Sequence, residues 1–499
     1  MLQQRYFGQS ARPTATIVEG KARPHRLWDV VCVDLDGTLI RTDTLWESLL
    51  LLARSRPWQL LCAIAWLLRG KAYFKDQLAA RVVPDARLLP YRAELLKSLR
   101  ELKAKGVTLC LTTAADRRVA GEVAKHLCLF DEVVASDGST NCSGSNKLAA
   151  IRERLGDTCF AYWGDSRADL PLWEAAHEAG VAAPKANLWR TVCRVSAQAR
   201  MIAPPGRLLR PLAAALRPHQ WAKNLLLLLP LFLAHRWADM GKLGLAVLGV
   251  AAFSAAASAI YIINDLIDIE SDRRHPTKHR RPFASGELPV PAGLAAAGLA
   301  LAGAFGLSAW HLSGPFTNWL AIYLLTTTAY SLWLKKHIVI DVLVLAGLYT
   351  LRIIAGAAAV SVPVSPWLLA FAMFFFLSLA LGKRYIELRH SADAPGDALP
   401  GRSYRPDDAP LLEQIGPTSG YLAVLVFCLY IDSRAVERLY RHPEFLWLAC
   451  PLLLYWITRF WLLARRKQIE YDPVAFALKD RASLAVIACT AVTVLLAAH

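Results

Sequence analysis

Two groups of carboxylates carry the chemistry that this sequence suggests. Asp34-Leu35-Asp36-Gly37-Thr38 follows the apolar run Trp28-Asp29-Val30-Val31-Cys32-Val33. Alternation along a strand puts residues 34 and 36 on the same side, and Gly37 lets the chain turn sharply. Two acids at the carboxyl end of a strand form a cation site, and one of them is able to attack phosphorus. The second group is Asn264-Asp265-Leu266-Ile267-Asp268-Ile269-Glu270-Ser271-Asp272. In a continuous helix of about 3.6 residues per turn, positions 264, 268 and 272 stack on one face with 265 beside them. Like charges so spaced repel, and a divalent cation supplies a reason to hold them there. His275-Pro276, Lys278, Arg280-Arg281-Pro282 and Gly286 come next. Acids for Mg2+ followed by bases for phosphates is the layout of a diphosphate site. The plain alternative is a solvated helix end carrying topological charges.

The first group needs a sheet to position it. Val107-Thr108-Leu109-Cys110-Leu111 reads as a second strand ending in Thr112-Thr113, whose hydroxyls suit a phosphoryl oxygen. Lys147 opens a helix after a Gly/Ser/Asn-rich turn. A third strand, Thr158 to Trp163, ends in Gly164-Asp165-Ser166, with Asp169 one helical turn later. Residues 42–100 read as helical. Within them Pro57 to Leu68 is unusually apolar and too short to span a bilayer. Two readings stand for it: a buried helix, or a surface resting on the membrane or on a lipid.

The second group needs a membrane. The chain has 499 residues, 55% hydrophobic and 19% charged, against roughly 45–50% and about 25% for an ordinary soluble domain. Mean hydropathy is +0.31. So much apolar surface excludes pure disorder. Ten scattered Cys without a C-x-x-C pair argue against a secreted disulfide scaffold and for reduced thiols. Residues 1–27 are polar and basic with no apolar core, which predicts a disordered tail rather than a signal peptide. Beyond residue 220 the apolar runs suit nine spans of about 17–25 residues, near 222–238, 244–266, 288–310, 316–334, 338–360, 363–385, 418–433, 445–464 and 482–498. Lys and Arg concentrate after spans two, four, six and eight (Arg273, Arg280, Lys335, Lys336, Lys383, Arg389, Arg465, Arg466), and are sparse in the other loops. The positive-inside rule then puts the first half and the even loops in the cytoplasm. The net charge of +17, from 57 Lys+Arg and 40 Asp+Glu, follows this topology. It forms no continuous stripe, so no nucleic-acid role is expected.

The D-x-D-G-T and G-D-S-x-x-D boxes with a Lys between them resemble the haloacid dehalogenase (HAD) phosphohydrolase superfamily. The resemblance implies an α/β Rossmannoid domain over 28–200 with a helical cap at about 42–100. It implies Asp34 as nucleophile and Asp36 as acid/base. Thr113 (or Thr112) and Lys147 would hold the phosphoryl group. Asp34, Asp36 and Asp165 would serve a Mg2+ ion, with Asp169 in support.

The remainder resembles the UbiA superfamily of intramembrane prenyltransferases, which implies an all-α polytopic domain of nine transmembrane helices over 217–499, after a linker at 201–216. R-P-H-Q-W-x-K-N (from Arg217), the acidic box with H-P-x-K-x-x-R-P, Y-S-x-x-L-K (from Tyr330), L-R-x-x-A-G (around Arg352) and G-K-R-Y (around Lys383) are as in the polyprenyl-phosphate phosphoribosyltransferase branch. There a polyprenyl phosphate attacks the anomeric carbon of phosphoribosyl diphosphate. Carried over, Asp265, Asp268 and Asp272 with Asn264 would hold a second Mg2+ on the donor diphosphate. Lys278, Arg281, Tyr330, Lys335, Arg352 and Lys383 would line the substrates, and Lys223 with Asn224 would meet the lipid phosphate. Asp341 has no close acidic neighbour in sequence, unlike the second acidic box of aromatic prenyltransferases.

These readings together predict a multi-pass protein of the inner membrane with both sites facing the cytoplasm. Homo-oligomerisation is left open. The competing readings are a true prenyltransferase using a polyprenyl diphosphate and an aromatic or lipid acceptor, a transporter, and a HAD-like domain without catalytic role.

Overall fold

The computed structural model describes residues 28–391, 403–469 and 472–498. The expected tail at 1–27 lies outside them. The chain divides into two units. The first comprises the described residues to Ile40, then Ala63–Arg87 and Tyr91–Pro205. The second comprises Arg41–Cys62, Leu88–Pro90 and Gly206 onward.

The first unit is built on six parallel strands, β1 (Val30–Val33), β2 (Thr108–Asp116), β3 (Glu132–Ser136), β4 (Phe160–Gly164), β5 (Glu178–Ala182) and β6 (Ala199–Ala203). Their order is β3-β2-β1-β4-β5-β6. Val31, Cys32 and Val33 are fully buried, as are Leu109, Cys110 and Leu111. Continuous apolar strands of this kind suit a parallel sheet covered on both faces. The strand order reverses between β1 and β4, which are paired through Val33 and Trp163. Ligands bind such sheets at the carboxyl ends of the strands beside that reversal. Asp34, just beyond β1, and Asp165, just beyond β4, stand there.

Gly37 is essential to that corner. Its φ is +72°, and a Cβ there would lie 2.1 Å from Asp165 Oδ2. Any larger residue would push Asp165 away. Arg92 clasps the same turn, donating to the carbonyls of Gly37 (3.0 Å) and Thr38 (3.1 Å).

The second unit is helical. Seven helices among the described residues are long and apolar enough to cross a membrane: Met240–Ile267, Val290–His311, Ile340–Ala359, Pro366–His390, Pro406–Ile431, Pro443–Arg465 and Arg481–Ala498. They take the places of the expected second, third and fifth to ninth spans. The other two expected spans differ for local reasons. The first is a stretch of 3₁₀ turns, Pro218–Leu228, running into a short helix, Leu229–Leu233. Pro218 opens this stretch, and Pro230 stands in the first turn of the short helix. The fourth, Gly314–Leu332, has 19 residues but carries Asn318 and Thr326-Thr327-Thr328, which lower its apolar content. The Pro218–Leu228 stretch packs on Ile340–Ala359 at Gly356, where a Cβ would meet the Leu227 carbonyl oxygen at 2.1 Å. Only glycine admits that approach.

Two further sequence expectations change here. The segment 201–216 is not a plain linker: β6 runs to Ala203, and Leu209–Leu216 is helical. The helix Thr44–Ser55, read from its sequence position as part of the cap, groups with the membrane half.

Candidate active sites

In the first unit Asp34 is nearly buried, its backbone N–H tied to the Trp163 carbonyl at 2.8 Å. Lys147, from the helix Ser145–Leu155, brings Nζ 2.8 Å from Asp34 Oδ1, 3.0 Å from the Tyr162 hydroxyl and 3.4 Å from Asp169 Oδ1. Tyr162 donates to Asp169 Oδ1 at 2.7 Å. Asp169 Oδ2 in turn accepts from the Ser166 amide and hydroxyl, both at 3.1 Å. One carboxylate oxygen from each of Asp34, Asp165 and Asp169 lies within 4.8 Å of the others. Three acids so gathered, with one lysine, form a donor set that fits a hard divalent cation.

Burial pushes the Asp34 carboxyl up to about 6, with Lys147 pulling down and the Asp169 charge pushing up. Burial works against the Lys147 ammonium, but Asp34 and Asp169 outweigh it and hold its pKa above the ordinary range. Tyr162, buried beside Asp169, stays protonated as a donor.

The convergent trio is Asp34, Asp165 and Asp169. Asp36, expected to share the cation, sits in the turn beyond and is outside that trio, because the chain leaves the strand at Leu35 and alternation no longer holds. Thr113 Oγ1 accepts from the Ala115 amide at 3.0 Å. Thr112 Oγ1 is buried without a protein partner, so it retains donor and acceptor capacity for a phosphoryl oxygen. Tyr162 and Arg92 escaped the sequence reading: Tyr162 lay inside an apolar strand, and Arg92 lies far along the chain from the turn it clasps.

The acids of the second unit take partners that the spacing did not reveal. The long helix stops at Ile267, Asp268 has φ −92° and ψ 11°, and a short helix resumes at Ile269. The expected continuous face is therefore broken. Arg281 NH1 donates to Asp265 Oδ1 (2.9 Å) and to Asp272 Oδ2 (2.7 Å). Arg217 NH2 adds a 2.5 Å contact to Asp265 Oδ1. Asp268 is half-exposed, with Arg54 at 3.8 Å. Among the described residues these three acids do not form a metal-type cluster. The expected single gathering of these carboxylates is not seen in this arrangement, in which Arg281 and Arg217 pair with Asp265 and Asp272. Burial raises the Asp272 pKa, while Arg281 and Lys278 pull it down. Asn264 donates to Ser331 Oγ at 3.1 Å. Lys278 is exposed and Lys335 half-exposed.

The other expected binding residues form two clusters. In the first, Lys223 and Lys383 each reach Asp472 Oδ2 at 3.0 Å. Asn224 accepts from Arg352 Nε at 2.9 Å and donates to Ser254 at 3.0 Å. Arg352 also donates to the Tyr323 hydroxyl and lies 5.6 Å from the Tyr349 ring centre, over which Lys223 sits at 5.9 Å. A buried arginine on a membrane helix needs such partners. Asp472 was missed. Its one local signal is its place before Pro473, where it caps the helix Pro473–Lys479. Burial tends to raise its pKa, but Lys383 and Lys223 hold it well below the usual carboxylate range.

In the second cluster Arg384, fully buried, donates to Asp341 (2.5 Å), to Glu387 (2.5 Å) and to the Tyr330 hydroxyl (2.8 Å). Tyr404 donates to Asp341 at 2.7 Å. Tyr330 thus belongs to this ion-paired knot and not to the Lys223 cluster.

The sequence matches the UbiA prenyltransferase family over residues 225–486 and haloacid dehalogenase-like hydrolases over 31–174. The chain belongs to the UbiA prenyltransferase family and is a fusion of that helical enzyme domain with a HAD-like hydrolase domain. An uncharacterized protein, y4nM, of Sinorhizobium fredii is 36% identical over 456 residues, covering 91% of this chain and 88% of the relative. A decaprenyl-phosphate phosphoribosyltransferase of Mycobacterium tuberculosis is 37% identical over 201 residues. That match covers 39% of this chain and 66% of the relative, just under two thirds of its length. A UbiA homolog from Archaeoglobus fulgidus bound to GPP and Mg2+ aligns over 57% of this chain and 99% of its own, at 16% identity and a TM-score of 0.44, too distant to carry an argument.

Proposed function

We propose that the membrane half transfers a 5-phosphoribosyl group from phosphoribosyl diphosphate to a polyprenyl phosphate, and that the first half removes the remaining phosphate. The observation that carries the transferase reading is the pair of lysines, Lys223 and Lys383, converging on one carboxylate, Asp472. Two ammonium groups sharing a single carboxylate oxygen leave a net positive charge suited to a phosphate. The phosphoribosyltransferase relatives, at partial coverage, support the same choice of substrates.

In the transfer, an oxygen of the lipid phosphate attacks the anomeric carbon, the bond from that carbon to the diphosphate breaks, and diphosphate leaves with the electron pair. Lys223 and Lys383 offset the charge where the two anionic substrates meet. Arg217 and Arg281, each already bound to an acid, are the cations nearest the acidic box and are suited to the departing diphosphate. No step is assigned to a cation at Asp265, Asp268 and Asp272.

The product carries a phosphomonoester. Asp34 attacks its phosphorus, the ester bond breaks, and Asp36 protonates the leaving alcohol. Asp36 then takes a proton from the water that hydrolyses the aspartyl-phosphate. Lys147 and Thr112 or Thr113 hold the phosphoryl oxygens. A Mg2+ ion held by Asp34, Asp165 and Asp169 would supply charge neutralisation at the phosphoryl group. Tethering two sites raises the effective concentration of the second for a membrane-bound product.

In this reading the domains are 28–200 and 217–499, the chain crosses the inner membrane nine times, and both sites face the cytoplasm. The positive charges of the even loops support that orientation. The test is reconstitution of the full chain in liposomes with phosphoribosyl diphosphate, polyprenyl phosphate and Mg2+, followed by mass spectrometry of the lipids. Wild type should yield polyprenyl-phosphoryl ribose, and Asp34→Asn its 5-phosphate. No pentose on lipid in either protein overturns the transferase reading. Equal phosphorylated product in both overturns the phosphatase reading.

A further inference from the structure

The short apolar segment Pro57–Leu68 is not buried. Trp58 is 66% exposed, Leu61 77%, Ile64 65% and Leu68 85%. Residues 58, 61, 64 and 68 recur at intervals of three and four and share one side of the segment. The opposite side is seated in protein: Gln59 and Ala63 are buried, and Trp66 lies under the Arg81 guanidinium at 4.3 Å. The segment is thus fixed along one side and presents a row of large apolar side chains on the other.

Its surroundings say what covers that row. From Ser48 to Lys75 the sequence contains no Asp or Glu. Arg56, Arg69 and Lys71 are exposed at the two ends. Large apolar side chains exposed side by side on a protein surface mark a contact. An apolar face ending in cations, with a tryptophan at one end, has the chemistry of the headgroup–acyl boundary of an anionic bilayer. At about 1.5 Å per residue the segment is roughly 18 Å long and cannot cross a ~30 Å core. Among its described residues the same chain carries seven helices suited to a bilayer, so a lipid surface is available to it.

We propose that Pro57–Leu68 is an in-plane membrane anchor, with Trp58, Leu61, Ile64 and Leu68 inserted among acyl chains and Arg56, Arg69 and Lys71 on anionic headgroups. It stands independently of the phosphoribosyl reading.

The experiment uses the full chain in nanodiscs of phosphatidylethanolamine and phosphatidylglycerol. Leu61→Cys is spin-labelled in a background where the exposed cysteines Cys62, Cys128, Cys159, Cys193 and Cys489 are serine. Collision with oxygen should exceed collision with a water-soluble nickel chelate several-fold at residue 61, and the order should reverse at the exposed control Arg152→Cys. A nickel accessibility at 61 equal to the control overturns the anchor. Shielding from both reagents means that protein covers the face, and overturns it too. Should the cysteine background fail to fold, brominated lipids serve instead. They should quench wild type more than Trp58→Phe, and equal quenching overturns the proposal.

Discussion

Glu47 and Arg273 form a two-bond ion pair, Oε1 to NH2 at 2.7 Å and Oε2 to NH1 at 2.9 Å, with both side chains almost wholly buried. Glu47 lies on Thr44–Ser55, and Arg273 follows Asp272 directly. Arg273 also donates to the Ala284 carbonyl at 2.9 Å. A helix encoded inside the hydrolase half is thereby bolted to the turn that carries the acids of the membrane half. Glu47→Ala leaves a buried guanidinium without its counter-charge, a change worth about 3–5 kcal/mol. Thermal unfolding in detergent should show the loss. A Glu47→Leu/Arg273→Met double variant should recover most of it, since both charges leave together.

The hydrolase site should titrate. With Asp34 raised to about 6, its carboxylate forms only as pH climbs through that value. Phosphomonoesterase activity at low Mg2+ should therefore rise with pH on a limb near 6. Lys147→Met removes the charge that lowers Asp34, so any residual activity should have its limb displaced upward. The stability sign is opposite to that of an ordinary ion-paired acid. Between the unfolded value of 3.8 and about 6 the native state binds the proton more tightly, so Asp34's contribution to stability falls as pH rises through that window. Asp34→Asn should flatten this slope in denaturant titrations.

Cation binding should distinguish the two halves. Asp34, Asp165 and Asp169 converge, whereas Asp265 and Asp272 are held by Arg281 and Arg217. Mn2+ titrated into the resting protein and followed by electron paramagnetic resonance should reveal one tight site. Asp165→Asn should abolish it, and Asp265→Asn should leave it intact. A second tight site lost in Asp265→Asn would show that the arginines yield to metal without any substrate present.

The Lys223–Asp472 pair should matter to transfer. Lys223→Ala should lower diphosphate release roughly 10²-fold, the size expected when one preorganised charge donor is removed. Asp472→Asn keeps both ammonium groups but frees them from their anchor. It should therefore act mainly on KM. Initial rates of diphosphate release at varied donor and lipid concentrations separate the two effects.

Much of the candidate chemistry was legible in local pattern. The D-x-D-G-T turn, the Gly164-Asp165-Ser166 corner and Lys147 are set by strand ends and glycine geometry, which neighbouring residues dictate. Hydropathy located seven of the long helices for the same reason. The first and fourth expected spans are not among those seven, because proline and threonine alter local geometry and polarity without much changing an apolar count.

What the amino-acid order determined by itself was therefore the inventory: which acids and bases sit at which element ends, and which stretches avoid water. Only the tertiary structure decided the partners. Asp472 meets Lys223 across 249 positions of chain and Lys383 across 89, and Arg281 bridges Asp265 and Asp272. The face of Pro57–Leu68, open to two readings in sequence, is likewise exposed only because the protein packs on its other side. A carboxylate's spacing along a helix states that it needs a positive charge. Whether that charge is an ion, a lysine or an arginine depends on which helices pack beside it, and that is a property of the folded chain.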